Sequence, residues 1–335
     1  MVEAMFYEKL KDSLVRCTLC PRYCVIKPED RGYCGTRLNK DGILYAVSYG
    51  VVSSIANDPV EKKPLFHFYP GSMVLSLGTF GCNMRCPGCQ NWEIAHIDPT
   101  EPPNLSPEDC INIALREHSR GIAWTYNEPT VWFEYTCQTS KIARDKGLYI
   151  VYVTNGYINE EPLDTIAPYL SAYRVDIKAF NPESYFRIAN VKDFQPILNS
   201  VTRAKKKWGI HVEIVTNVTP TINDDEKQLR DIAVWIRDSL GDETPWHVTR
   251  FIPHYNLRDL NITPPSTLEM AYEIGRSAGL KYVYIGNVPG HRYENTYCYN
   301  CNNLLIERYG FYLEKFLIKD NKCPYCGIEQ YIIGD

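Results

Sequence analysis

The sequence lacks the long apolar runs and the strong net charge that direct a protein to membranes or nucleic acids. No apolar run approaches the ~20 residues that span a bilayer, and the opening segment MVEAMFYEKLKD has no apolar signal-peptide core. A formal net charge of -4 over 335 residues gives no general attraction to phosphate groups or anionic lipids. We therefore expect a cytoplasmic protein that has no membrane partner, and the overall charge disfavours a nucleic-acid partner.

A glycine-rich dinucleotide-binding fingerprint is also missing, which argues against an open nucleotide-binding sheet. Between residues 71 and 290, apolar strand patterns alternate with amphipathic helical patterns, which predicts an α/β fold with a partial (β/α) barrel. Two helices are predicted to begin with capping boxes, at Asn223 with Glu226 and at Ser266 with Glu269. The predicted strands are SMVLSLGT, GIAWT, LYIVYVT, AYRVDIKA, IHVEIVTN, WHVTRFI and YVYIG.

Cysteine, in contrast, is abundant for a protein of the reducing cytosol. Of the 13 cysteines, only Cys110 and Cys137 stand apart from three groups. Because the groups contain C-x2-C pairs and the chain lacks secretory signals, we interpret them as metal ligands rather than disulfides. This distribution predicts an N-terminal cysteine-rich metal-binding region at 1–70, the barrel at 71–290 and a zinc-ribbon-like tail at 291–335.

The tail carries the spacing of a zinc ribbon, C-x2-C-x21-C-x2-C. Four thiolates at this spacing favour a closed tetrahedral zinc site with a structural role, and a rubredoxin-like iron is the alternative. The ligands would be Cys298, Cys301, Cys323 and Cys326.

The N-terminal group has the spacing C-x2-C-x3-C-x9-C. Zinc and an auxiliary iron–sulfur cluster both accept four cysteines, so the spacing alone does not decide between them. Zinc is favoured here because the group lies far in sequence from the central cysteines. Its members are Cys17, Cys20, Cys24 and Cys34.

The central group, Cys82, Cys86 and Cys89, has only three members, spaced C-x3-C-x2-C. A catalytic zinc site would be expected to include histidine or carboxylate ligands. Three closely spaced thiolates instead suit a [4Fe–4S] cluster whose fourth iron stays free for another ligand. A small molecule with an amine and a carboxylate could chelate that iron.

This motif, after the first barrel strand, resembles that of the radical S-adenosylmethionine superfamily. With DPVEKKPLFHFYPGS, TYNEPT, TNGY, DIKAF and YIGNVPGHRYENTYCYNC, the chain resembles the AmmeMemoRadiSam-system radical SAM enzymes, relatives of the pyruvate formate-lyase activating enzymes. The resemblance implies reductive cleavage of S-adenosylmethionine at the cluster and hydrogen abstraction by a 5′-deoxyadenosyl radical. One departure is Gly88, because an aromatic residue usually precedes the third cysteine.

Polar side chains recur where the predicted strands end, as in barrels whose active sites lie at the carboxyl ends of strands. Glu128 is the candidate acceptor for the methionyl ammonium, with a helix cap as the alternative. Asp176 and Asn217 suit ribose hydroxyls, and Lys178 suits the carboxylate. The resemblance further implies that the TNG, DIK and FIPH positions hold the cofactor. Those positions contribute Thr154, Asn155, Asp176, Lys178 and His254.

The resemblance favours a protein or peptide substrate, as in the activating enzymes, and a small-molecule substrate is the alternative. It also implies a reducing partner such as flavodoxin or ferredoxin, and makes Memo-like and AMMECR-like proteins candidate partners. A third hypothesis is a zinc-ribbon module that binds nucleic acid, since RAKKKWG at 203–209 is basic. A solvated helix face explains that segment more simply.

Overall fold

The computed structural model describes residues 1–97, 99 and 102–334, which form two compact units. The first unit comprises Met1–Asp58, Met73–Tyr173 and Asp193–Ile210. The second comprises Pro59–Ser72, Arg174–Lys192 and the chain from His211 onward. Each unit combines segments that are distant in sequence, because the units are defined by contacts between residues. They therefore do not test the predicted division into three consecutive regions, which stays a prediction.

Short antiparallel strands dominate the N-terminal part of the chain. Strands β1, β6 and β5 form one three-stranded sheet, and β2, β3 and β4 form another. The segment GILYAVSYGVVSS, residues 42–54, has alternating strand patterning, and it pairs with β1 and β5 through β6. The strands are β1 Val2–Glu3, β2 Tyr7–Lys9, β3 Val15–Cys17, β4 Val25–Ile26, β5 Arg37–Lys40, β6 Ile43–Ala46 and β7 Ser54–Pro59.

All seven strands predicted for the central region are confirmed. They are β8 Met73–Gly78, β9 Gly121–Trp124, β10 Tyr149–Thr154, β11 Ala172–Asp176, β12 His211–Val218, β13 Trp246–Arg250 and β14 Val283–Gly286. With β7 they form an eight-stranded sheet in the order β14-β13-β12-β11-β10-β9-β8-β7. Pairing is parallel from β8 to β10 and from β12 to β14. Parallel strands alternating with helices confirm the predicted α/β class.

Helices follow most of the central strands. Their bounds are α1 Trp92–His96, α2 Pro107–Arg116, α3 Phe133–Asp145, α4 Glu160–Ile166, α5 Pro182–Ala189, α6 Gln195–Lys206, α7 Glu226–Leu240 and α8 Pro265–Ser277. Among the helices of the described residues, none is both long enough and apolar enough to cross a membrane.

Both predicted capping boxes were wrong. The N-cap of α7 is Asp225, while the Asn223 side chain accepts a hydrogen bond from the backbone N–H of Thr219. Helix α8 begins at Pro265, before Ser266, and its N-cap makes no side-chain bond. Proline suits the first helical position because it has no N–H to leave unsatisfied.

The tail forms a three-stranded antiparallel sheet in the second unit. Its strands are β15 Thr296–Tyr297, β16 Leu304–Tyr309 and β17 Tyr312–Phe316. Leu305, Ile306 and Ile318 form a small core there together with Cys298 and Cys323. So few apolar residues give a weak core, and small folds of this kind usually need a further staple such as a metal.

A buried ion pair anchors the N-terminal sheets to helix α3 in the first unit. Arg37 Nη1 lies 2.7 Å from Glu134 Oε1, and the two side chains are only 2% and 7% exposed. The same carboxylate oxygen accepts from the backbone N–H of Met5. The Arg37 guanidinium beside Glu134 lowers the pKa of that carboxyl, although burial alone would raise it. The pair therefore stays ionised at neutral pH and fixes the N-terminal region to the central fold.

We expect Glu134→Ala to lower the free energy of unfolding by about 3–5 kcal/mol, because it leaves a buried guanidinium unpaired. The matched control is Glu8→Ala, which removes the exposed Glu8–Arg16 pair and should cost at most about 1 kcal/mol. Denaturant unfolding of both variants measures the difference. Equal losses would contradict a special role for the buried pair.

Candidate metal and cofactor site

The central cysteines lie in the first unit, in the loop that follows β8. All three are half-buried. The loop is fastened to the next strand end by Asn127, whose Oδ1 accepts from the backbone N–H of Thr79 and whose Nδ2 donates to the Gly81 carbonyl. Since β8 and β9 are parallel neighbours, their carboxyl ends meet at one edge of the sheet, which places the cysteine loop there.

The end of β10 contacts the same loop through Asn155. Its Nδ2 lies 2.9 Å from Oδ1 of Asn83 and 3.8 Å from the sulfur of Cys82. Asn83 in turn donates from Nδ2 to the carbonyl of Tyr157, at 2.8 Å. These amide contacts hold the first cysteine of the motif against the end of a rigid parallel strand.

Glu128 binds the same strand end from the other side. Its Oε1 accepts from the hydroxyl of Thr154 at 2.7 Å, and its Oε2 accepts from the backbone N–H of Asn155 at 2.8 Å. Oε1 also accepts from the N–H of Thr130, which is the cap that the sequence left as an alternative. The side chain is fully buried. Burial raises the pKa of its carboxyl, and these hydrogen bonds oppose that shift.

The structure therefore brings together four of the predicted site residues, Cys82, Glu128, Thr154 and Asn155, in one hydrogen-bonded network. Cap formation by Glu128 is observed directly. Its predicted contact with a methionyl ammonium stays a prediction.

The remaining predicted cofactor residues belong to the second unit. Asp176 accepts from Arg174 Nη1 at 2.5 Å and from Lys178 Nζ at 2.9 Å. Burial would raise the pKa of the Asp176 carboxyl, but the two neighbouring cations lower it. Asp176 is thus an ionised carboxylate at the end of β11, and Lys178 is bound to it.

Asn217 and His254 stand at the ends of other elements of the second unit. Asn217 Nδ2 lies 3.1 Å from both Thr249 Oγ1 and the Arg250 carbonyl, so it joins β12 to β13. His254 precedes a short 3₁₀ helix, and its Nδ1 lies 2.8 Å from the carbonyl of Ile252. These contacts give both side chains structural partners without testing their predicted roles.

The four tail cysteines converge in the second unit. Their sulfurs all lie within 4.8 Å of one another, and the Cys298–Cys326 and Cys301–Cys323 pairs are each separated by 3.6 Å. Asn303 Nδ2 donates to the Cys301 sulfur at 3.2 Å, and this hydrogen bond lowers the pKa of that thiol to about 6. Such a set of thiols can hold one metal ion.

The N-terminal cysteines line a different kind of site, in the first unit. All four of them border one pocket that is partly open to solvent. Arg22, Tyr33, Arg37 and Asn83 also line it. The structure thus brings these four cysteines together, as the sequence predicted, and places them beside the loop of the central group.

The basic segment at 203–209 is paired with an acidic residue of another helix, Asp164 of α4. Arg203 Nη2 lies 2.6 Å from Asp164 Oδ2, and Lys207 Nζ lies 2.8 Å from the same oxygen. Trp208 Nε1 donates to Asp164 Oδ1. These ion pairs between two helices occupy the basic side chains within the fold, which fits the simpler explanation of a helix face.

The motif, its position after β8 and the polar network around it agree with one family. Residues 77–233 match the model of the Radical SAM superfamily. This segment of the chain is a radical SAM domain. The family implies a [4Fe–4S] cluster and S-adenosylmethionine as cofactors. The residues present fit the cluster, because three half-buried thiols share one loop while the tail site accounts for a separate set of cysteines.

Relatives extend the match beyond the radical SAM domain. The chain is 49% identical to an uncharacterized protein of Methanocaldococcus jannaschii over 331 residues, 98% of each chain. It is 23% identical over 197 residues to a candidate glycyl-radical enzyme activating enzyme of the same organism, covering 57% of this chain and 71% of the relative. A crystal structure of a radical SAM methyltransferase from Sphaerobacter thermophilus aligns with a TM-score of 0.52 at 15% identity, covering 65% and 67% of the two chains. That last similarity concerns the fold alone.

Sequence reasoning missed two asparagines of the radical SAM site, Asn83 and Asn127. Each connects the cysteine loop to a neighbouring strand end. Asn83 lies between two cysteines of the motif, and Asn127 directly precedes Glu128. These positions could have identified both asparagines as candidate site residues. Their partners, however, depend on which strands are adjacent.

Glu128→Gln tests how much the buried hydrogen bonds of Glu128 contribute to stability. The amide NH2 group of glutamine would face backbone N–H donors at Thr130 or Asn155, so we expect the free energy of unfolding to fall by about 1–3 kcal/mol. Asp225→Asn is the matched control, because it changes the same groups at the exposed cap of α7 and asparagine caps helices about as well as aspartate.

S-adenosylmethionine affinity, measured by calorimetry on the same folded, iron-loaded samples, addresses the cofactor role. A weaker affinity at normal iron content would support Glu128 as the ammonium acceptor. An unchanged affinity would leave Glu128 with the structural role alone.

Proposed function

We propose that the chain is an activating-enzyme-like radical SAM enzyme that abstracts hydrogen from a protein or peptide partner. The observation that carries the proposal is the cysteine loop after β8, held by Asn127 and Asn155 at the carboxyl ends of parallel strands. Similarity to a candidate glycyl-radical enzyme activating enzyme supports the choice of a macromolecular substrate.

Cys82, Cys86 and Cys89 would hold the cluster, which supplies the electron that cleaves S-adenosylmethionine to a 5′-deoxyadenosyl radical. Asn155 orients the Cys82 sulfur through its amide and is fixed in turn by Glu128. Small displacements at a reacting centre can cost ~10²-fold in rate, so this rigidity has a direct use.

Glu128, Thr154 and Asn155 are proposed to contact S-adenosylmethionine in the first unit. Asp176, Lys178, Asn217 and His254 stay predicted cofactor contacts from the second. Their types suit the ligand, since it offers an ammonium, a carboxylate and ribose hydroxyls.

The partners follow from the same proposal. A one-electron donor such as flavodoxin or ferredoxin would reduce the cluster. Memo-like and AMMECR-like proteins are the candidate protein substrates, through the resemblance to the AmmeMemoRadiSam system.

Deuterium tracing tests the substrate class. The full chain, reconstituted anaerobically with iron and sulfide, is incubated with S-adenosylmethionine, dithionite and deuterated candidate proteins. We expect deuterium in 5′-deoxyadenosine, detected by mass spectrometry, and none with Cys82→Ala, which loses a cluster ligand. Label arriving only from a deuterated small-molecule extract would contradict the protein substrate and favour the small-molecule alternative.

We propose zinc for the tail site. A tetrahedral ion with metal–sulfur bonds of about 2.3 Å sets its sulfurs about 3.8 Å apart, close to the 3.6 Å observed for two pairs. An iron–sulfur cubane separates its thiolates more widely, because each one binds a different iron. The sparse apolar core of the tail supports a structural role for the ion.

Replacing Cys301 with serine in the full chain should remove one zinc per chain and lower the thermal midpoint. A closed thiolate site contributes folding energy directly, which is the reason for the expected loss. Cys137→Ser, outside the three groups, is the control and should keep all metals. Elemental analysis that shows a loss of iron, or no loss of metal, would contradict the zinc assignment.

A further inference from the structure

The N-terminal cysteines line a pocket, and their sulfur atoms do not come together at one point. All four border the solvent-open pocket described above. The thiols face this pocket from several directions and are not gathered on one ion-sized site as the tail cysteines are. Cys34 also has its sulfur 3.2 Å from the hydroxyl of Thr36, a polar contact at the cavity wall.

The tail provides an internal comparison for this spacing. Among the described residues, the tail cysteines are the only group of three or more histidine, cysteine, aspartate or glutamate side chains drawn together closely enough to hold one ion, with ligand atoms within 4.8 Å. The N-terminal group is not drawn together in this way, and neither is the radical SAM trio. The N-terminal group thus shares the looser arrangement of the cysteines whose family implies a cubane.

The cavity also adjoins the radical SAM loop. Arg22 Nε donates to the carbonyl of Asn83 at 2.6 Å, and Arg85 Nη2 donates to the carbonyl of Tyr33 at 2.7 Å. Both guanidinium groups lie over the Tyr33 ring, 3.7 and 4.8 Å from its centroid. Asn83 itself is part of the cavity wall and directly follows Cys82.

The two cysteine segments approach so closely that one position requires glycine. Gly81 has φ +81°, and a Cβ there would collide with the Cys34 carbonyl and the Thr36 side chain. A residue of the radical SAM loop therefore packs against the backbone of an N-terminal cysteine. Zinc was favoured because the N-terminal and central cysteines are far apart in the sequence. In the fold the two groups lie close together.

We propose that Cys17, Cys20, Cys24 and Cys34 bind a second iron–sulfur cluster of the [4Fe–4S] type, next to the radical SAM loop. Four thiolate ligands satisfy all four irons of a cubane, so this cluster would have no open site for S-adenosylmethionine. Arg22 and Arg37 line the cavity and place positive charge beside the thiolates. The assignment goes beyond the proposed function and does not require a particular substrate.

The test uses the full chain with Cys82, Cys86 and Cys89 all replaced by alanine, reconstituted anaerobically with iron and sulfide. We expect about four irons per chain in this variant and about eight in the wild type, because each cubane carries four. After dithionite reduction, the variant should retain the electron paramagnetic resonance signal of a reduced [4Fe–4S] cluster although it cannot cleave S-adenosylmethionine. Adding Cys24→Ser and Cys34→Ser to the triple variant should remove that signal.

A triple variant that binds no iron and carries zinc at the N-terminal group would overturn the proposal. Wild-type protein offers a second measurement that depends on no variant folding. Elemental and Mössbauer analysis should find about eight irons in cubane form, and about four irons with an additional zinc would overturn the assignment. Cys137→Ala is the matched control and should keep the wild-type iron content.

Discussion

The buried carboxylate of Glu128 is the interaction on which the radical SAM site depends. A carboxylate without water is costly unless donors surround it, and here the backbone of Asn155, the hydroxyl of Thr154 and the cap N–H of Thr130 supply them. The same hydrogen bonds that compensate burial fix the end of β10. Asn155 is thereby oriented toward Cys82. The hydrogen bonds that stabilise the strand ends therefore also help to fix the position of this candidate cluster ligand.

The three cysteine groups have three different arrangements, because the backbone around each group sets the distances between its sulfur atoms. In the tail, the paired knuckles bring the sulfurs to 3.6 Å in pairs, as a single ion needs. The loop after β8 contains three cysteines, one fewer than either of the other groups. At the N-terminus, the segments between the cysteines spread them around a cavity. Cysteine count alone does not distinguish these cases, whereas spacing in the fold does.

The strands were predictable because burial on both faces of a parallel sheet leaves continuous apolar runs in the sequence. The starts of α7 and α8 were not, because Asp225 and Pro265 offered equally good local starts close to the predicted ones. The cysteine motifs predicted candidate metal ligands by local spacing. Asn83 and Asn127 escaped notice because their partners come from neighbouring strands, and the proximity of the N-terminal group to the radical SAM loop required the tertiary structure.

The N-terminal region is integral to the radical SAM unit rather than an appendage to it. Its attachment includes the buried Arg37–Glu134 pair, which is costly to desolvate and strongly destabilising to break. Arg37 lies at the cavity wall of the N-terminal cysteines, while Glu134 lies on the helix that follows β9. The contact therefore joins the wall of the pocket lined by the N-terminal cysteines to the helix that follows β9, the strand next to the one that leads into the central cysteine loop. The N-terminal cysteines and the central loop are thus held on one connected scaffold.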